Sequence, residues 1–175
     1  KYYRGTTYSS QICDVDVGPN GEINLLDLQT GRVFQYDDEC TLMFIFGGSG
    51  DQKGTFTTVN AVESIGTDVY VLDSRKSTIT VFKRTEFGSI VHEAMSLFNA
   101  GKYNEAMEPW NEVLRRDSNY WMAYIGLGNA YLNAKDYEAA MDNFYFQSRS
   151  GYSDAFKSWR MNFIRDNFTL FAVII

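Results

Sequence analysis

Two kinds of hydrophobic spacing divide this chain. Over residues 11–86, short apolar runs alternate with Gly, Asn and Asp turns, and within a run roughly every second residue is apolar. A period of two turns one side of a strand toward a core and the other away from it. Antiparallel strands are therefore predicted at 12–17, 22–27, 32–36 and 41–46. Asn20-Gly21, between the first two, signals a tight hairpin because both residues tolerate positive φ. From residue 87 the spacing changes to three and four. Ile90, Val91, Ala94, Met95, Leu97 and Phe98 share one side of a helix predicted over 87–100. Gly101 ends it by taking positive φ just past the last turn. Asn104 is placed to cap a second helix, reaching about 116. Pro109 lies past its first turn, where it removes a backbone donor and predicts a bend. Further helices are predicted over 119–134, 137–150 and 154–167.

Both halves repeat. A shift of 34 residues carries Ala94 to Gly128, Leu97 to Tyr131, Tyr103 to Tyr137, Ala106 to Ala140 and Trp110 to Phe144. Small residues recur where two helices touch closely, and aromatics recur where they fill the space between. This period and pattern resemble the tetratricopeptide repeat, a helix–turn–helix unit that stacks into arrays holding other proteins. The Pro that often ends such units is replaced by Ser118 and Tyr152. In the β half the shift is 46 residues. It carries Ile23 to Val69, Leu26-Asp27 to Leu72-Asp73, Val33 to Ile79 and Tyr36 to Phe82. Val69-Tyr70-Val71-Leu72-Asp73, Ile79-Thr80-Val81-Phe82 and the Phe46-Gly47-Gly48-Ser49-Gly50 linker resemble NHL-type β-propeller blades. Fewer than two such blades cannot close a ring, which needs about four to eight.

The order of the parts adds a third resemblance. It is carried by Val91-His92-Glu93-Ala94, Gly101-Lys102-Tyr103, Glu108-Pro109-Trp110-Asn111-Glu112-Val113-Leu114 and Tyr152-Ser153-Asp154-Ala155-Phe156. These stretches look like bacterial envelope proteins that join an NHL propeller to tetratricopeptide repeats and a Yip-type membrane domain. The resemblance implies an extracytoplasmic, membrane-anchored location, the membrane domain itself lying outside this chain.

Composition narrows the function classes. Hydrophobic residues make up 45% of the chain, enough for a real core, and the formal net charge is -6. Residues 1–86 carry 8 basic and 12 acidic side chains, and residues 87–175 carry 8 and 10. Neither half is basic, so a phosphate backbone would be repelled, and nucleic acid is not an expected partner. Residues 168–175, Phe-Thr-Leu-Phe-Ala-Val-Ile-Ile, read either as a packed final helix or as the start of a transmembrane helix, which needs about 20 residues. Cys13 and Cys40 are too few for a structural zinc site. They read as free, packed thiols, with a disulfide as the alternative in an oxidising compartment.

Little in the sequence points to catalysis. His92 is the lone histidine, and Glu93 beside it cannot share its helix face. Gly47-Gly48-Ser49-Gly50 lacks the Lys-Ser/Thr of a phosphate loop. Asp14, Asp16, Asp27, Asp37 and Asp38 do not have the spacing of an EF-hand and read as solvated strand ends. No cofactor or metal is expected. The candidate site is a peptide groove along the first helix of each pair, with His92, Met95 and Asn99 from one unit and Ile125, Asn129 and Asn133 from the next. Asn side chains donate and accept, which suits peptide backbone.

The expectation is thus an α+β chain in three parts. Residues 1–86 would hold about two incomplete NHL-like blades, and 87–167 two tetratricopeptide repeats with a capping helix. Residues 168–175 would begin a transmembrane segment. The expected function is a non-enzymatic protein- or peptide-binding scaffold at a bacterial cell envelope, as a fragment of a larger membrane-anchored protein. The alternatives are a fragment of a propeller hydrolase of the gluconolactonase kind and a purely structural spacer.

Overall fold

A computed structural model describes residues 9–169 of the chain, which divides between Thr85 and Glu86 into two compact units. In the first, β1 (Ile12–Val17), β2 (Ile23–Asp27), β3 (Arg32–Tyr36) and β4 (Leu42–Gly47) form one antiparallel meander. A second meander holds β5 (Val59–Ile65), β6 (Asp68–Asp73) and β7 (Thr78–Phe82). The two sheets share one core of Leu26, Val33, Phe56, Val59, Val62, Val69 and Val71, flanked by Phe46 and Phe82. Polar groups also join the sheets. The Gln35 amide donates to Asn24 Oδ1 (2.8 Å), and Asn24 Nδ2 donates to Ser64 Oγ (2.9 Å). The Val62 N–H donates to Asp14 (2.8 Å), satisfying a strand-edge group that would otherwise be unpaired. A nearly buried Arg84–Glu22 ion pair (2.7 Å) ties the end of the second meander to the β1–β2 hairpin.

The expected partial β-propeller is corrected here. The unit consists of two open antiparallel sheets of four and three strands, which do not close into a ring. Alternation and turn chemistry specify antiparallel pairing, but whether a sheet is a propeller blade depends on its place around an axis shared with other sheets, which strand patterns do not encode. Where an eighth strand would follow β7, the chain enters a helix instead.

The second unit contains α1 (Glu86–Asn99), α2 (Tyr103–Arg116), α3 (Trp121–Asn133), α4 (Tyr137–Phe144) and α5 (Arg149–Asp166). Consecutive helices pack on one another, and α3 also touches α5. The 34-residue shift takes the start of α2 onto the start of α4. Ala106 and Ala140 are fully buried, as are Trp110 and, nearly so, Phe144. Their rings lie against glycine. A Cβ at Gly126 would run into the Trp110 indole, and one at Gly128 would stand 2.5 Å from the Phe144 ring. The helix axes can approach because these two positions lack a side chain. The Trp110 Nε1–H is buried without a hydrogen-bond partner among the described residues.

Pro109 lies inside α2. Helix ends differ from expectation in two places. Lys102, not Asn104, occupies the N-cap of α2, and no side chain caps it. The expected helix over 137–150 stops at Phe144, whose carbonyl accepts from the N–H of Gln147 and Ser148. Ser148 then caps α5 by accepting from the Gly151 N–H (3.1 Å), so α5 begins five residues before Asp154. Gly101 has φ +72° as its place after α1 demands, and Lys135, 34 residues on, holds the same left-handed conformation at φ 64°.

Candidate functional site

The groove residues lie on α1 and α3, the first helices of their pairs. Met95 is 2% exposed and belongs to the interior, which corrects its assignment to a ligand-facing position. It falls one turn from Val91 and near Ala94, both fully buried, so the apolar stripe of α1 takes it inward. Ile125 packs against the cluster of Ala140, Phe144 and Ala155. The Asn129 side chain donates to the Ile125 carbonyl (2.9 Å), a bond within its own helix that occupies one of its donors. His92 is half-buried, while Asn99 and Asn133 are exposed near the C-terminal ends of α1 and α3. Of the six groove residues, Asn99 and Asn133 are thus the exposed ones.

A second surface on the same unit was not singled out from sequence. Helix α5 buries only Ala155. On its other sides Phe156, Met161, Phe163 and Ile164 are exposed, Met161 by 62% and Phe163 by 50%, and Phe168 is exposed just past its end. Phe156, Trp159 and Phe163 form a ladder of rings, with centroids 5.8 Å apart at both steps and planes inclined by 23° and 16°. The spacing of three then four residues places them on one stripe. That spacing is legible in the sequence, but it reads equally as core until one sees that Phe156 and Phe163 are exposed. Arg160 lies among these side chains and is exposed, so the surface is apolar with basic character. Exposed aromatic and Met side chains with Arg are what protein interfaces are enriched in. Beside the start of α5, Tyr145 and Phe146 are also exposed, and Tyr145 packs edge-on against Tyr152.

The carboxylates of the β unit hold the fold. Asp27 is fully buried rather than solvated. Its Oδ1 accepts from the N–H of Gln11 (2.8 Å) and Gln29 (3.1 Å), and its Oδ2 from the Thr30 hydroxyl (2.7 Å). Asp73, 46 residues on, accepts from the N–H of Thr57, Thr58, Arg75 and Lys76. Burial alone would raise both carboxyls. The donors around them win, and both are held below their ordinary value of 3.8. Asp37 is likewise nearly buried, its carboxylate accepting from the Thr41 N–H (2.6 Å). Among the described residues, no group of three or more His, Cys, Asp or Glu is placed to hold a metal ion.

Cys13 and Cys40 are free and exposed rather than packed. The Cys13 thiol donates to the Leu26 carbonyl (3.5 Å), and partial burial pushes it above its ordinary 9.0. That keeps the sulfur protonated and weakly nucleophilic. The Gly47–Gly50 stretch is a connection between the sheets, joined to Phe56 by the Ser49–Phe56 bridge. Of the expected membrane segment, Leu170–Ile175 lies outside the described residues, as does Lys1–Tyr8 of the expected β domain. No helix of the described residues is long and apolar enough to cross a membrane.

No protein-family model and no curated protein matches the chain.

Proposed function

We propose that this chain is a non-enzymatic scaffold that binds a protein or peptide partner through its helical unit. The observation that carries this reading is the aromatic ladder of Phe156, Trp159 and Phe163 on α5, whose two end rings are exposed. Support comes also from the 34-residue recurrence of helix pairs, an arrangement that builds extended binding surfaces by stacking. The partner that fits is an amphipathic helix whose apolar face covers the rings and whose acidic side chains meet Arg160. Placement at a bacterial envelope belongs to the same proposal and is supported by the resemblance and by the apolar run from Phe168.

The test is selection of peptides on the full chain from a displayed library, followed by hydrogen exchange with the bound peptide. Amides of α5 gain protection, and Phe163→Ala weakens the selected peptides about tenfold, the loss of roughly 1.4 kcal/mol at an aromatic anchor. Peptides that protect other elements and bind Phe163→Ala unchanged refute the site. A second reading, a structural spacer, is favoured by the Asn129 side chain being turned onto its own helix. Failure to select any peptide supports it.

A further inference from the structure

The 46-residue repeat relates the outer faces of the β unit as well as its core. In β6 and β7, Val69, Val71, Thr80 and Phe82 pair across strands and turn toward the first sheet. The shift carries them back to Ile23, Leu25, Phe34 and Tyr36, which pair in the same way in β2 and β3. Those four lie on the opposite side of the first sheet from Leu26 and Val33, because alternate residues of a strand face opposite ways. They are only half-buried, and Val15, Val17 and Ile45 beside them are exposed, Val17 by 65%. The converse holds on the second sheet. Leu26 and Val33 are fully buried, whereas their counterparts Leu72 and Ile79 stand on its outer side, Ile79 exposed by 64%. The two halves of the buried sheet-to-sheet contact are thus presented again on the two outer faces, by side chains that are exposed or half-buried.

We infer that a second copy of this chain stacks on the first head to tail, the outer face of its second sheet on the outer face of the first copy's first sheet. The occupant is identified by the contact already made inside one chain. Leu72 and Ile79 would meet Ile23, Leu25, Phe34 and Tyr36 as Leu26 and Val33 meet Val69, Val71 and Phe82. Asp14 pairs with Leu26 and Ala61 with Leu72, so Ala61 stands at the point of the strand edge where Asp14 takes the Val62 N–H, and that hydrogen bond has no counterpart. The Asn24–Ser64 hydrogen bond has none either, since Tyr70 and Val17 take those places in the registers. The new contact is therefore more apolar than its template. Because the two faces differ, association is heterologous, and each added copy leaves one of each face open unless the assembly closes on itself.

The arrangement makes a test by complementation. Val17→Lys blocks the outer face of the first sheet, and Ile79→Lys blocks that of the second; both positions are exposed. Sedimentation velocity of the full wild-type chain across a concentration series shows mass rising above the monomer. Each variant alone stays monomeric. Mixed in equal amounts they form a 1:1 dimer that grows no further, because each supplies the face the other lacks. Val15→Lys and Val81→Lys repeat the experiment from neighbouring positions, and circular dichroism checks that every variant keeps wild-type secondary structure. A wild type that is monomeric throughout overturns the inference. So does self-association of Val17→Lys alone, or a mixture of folded variants that stays monomeric.

Discussion

Gly126→Ala tests the helix packing most sharply, because two opposing effects are both legible. In the interior of a helix Ala is favoured over Gly by roughly 0.5–1 kcal/mol. At Gly126, however, the added Cβ meets the Trp110 indole, a ring that is fully buried and has no room to retreat. Overpacking a dense interior costs roughly 1–3 kcal/mol. The clash should win, leaving the variant less stable by about 0.5–2 kcal/mol. Trp110→Phe should relieve it. The smaller ring vacates the space the Cβ needs, and it removes a buried N–H whose lack of a partner costs about 1–3 kcal/mol. Phe is also the ring that faces Gly128 in the second helix pair. The double variant should then lose less than the two single variants together, by about 1 kcal/mol of coupling. Urea unfolding followed by tryptophan fluorescence measures this. All 3 tryptophans, at positions 110, 121 and 159, lie in the helical unit, so the signal reports that unit alone, and Trp121 and Trp159 remain when Trp110 is replaced. Stabilisation by Gly126→Ala, or strict additivity with Trp110→Phe, refutes the contact and the repeat register behind it.

Two further outcomes follow from the backbone and the buried carboxylates. Lys135 holds a left-handed conformation that costs an L-residue about 1–2 kcal/mol, so Lys135→Gly should raise stability by up to about 1 kcal/mol after its entropic penalty, seen as a higher fluorescence-detected Tm. Asp27 and Asp73 titrate below their ordinary 3.8 in the folded chain, so the stability they contribute is complete above that value and is lost as pH falls through their lower folded values. An acid titration followed by far-UV circular dichroism should show strand signal holding to below pH 3.8, and Asp27→Ala should shift that loss to higher pH.

Several elements were legible because their causes are local. Period-two runs, Asn20-Gly21 and the positive-φ Gly101 locate strands and turns without reference to anything distant. The misread positions depend on what covers a residue. Periodicity places Met95 on a helix face but does not say how far round the buried stripe extends. Asp27 and Asp37 resemble solvated strand ends until the N–H groups folded around them are seen. The break after Phe144 needed the competition between continuing a helix and the cap that Ser148 offers to Gly151. The aromatic stripe of α5 had the right spacing, yet its exposure is decided by how much of that helix its neighbours reach. The expected propeller blades are the extreme case, since a blade is defined by its place around an axis shared with other sheets and not by any residue in it.

The long-range ties of the β unit also set an order of events in time. Within each sheet, neighbouring strands pair across short turns and can form as soon as they are made. The inner face of the first sheet has to wait. Leu26 and Val33 are covered by residues from Val59 onward, Asn24 finds Ser64 40 residues later, and Glu22 finds Arg84 62 residues later. Loop closure over such separations is slow, whereas helices that touch only their sequence neighbours assemble quickly. During synthesis, therefore, the inner face of the first meander waits for residues from Phe56 onward to emerge, and its tie to Arg84 closes last. The helices made after it can close before those N-terminal strands have settled.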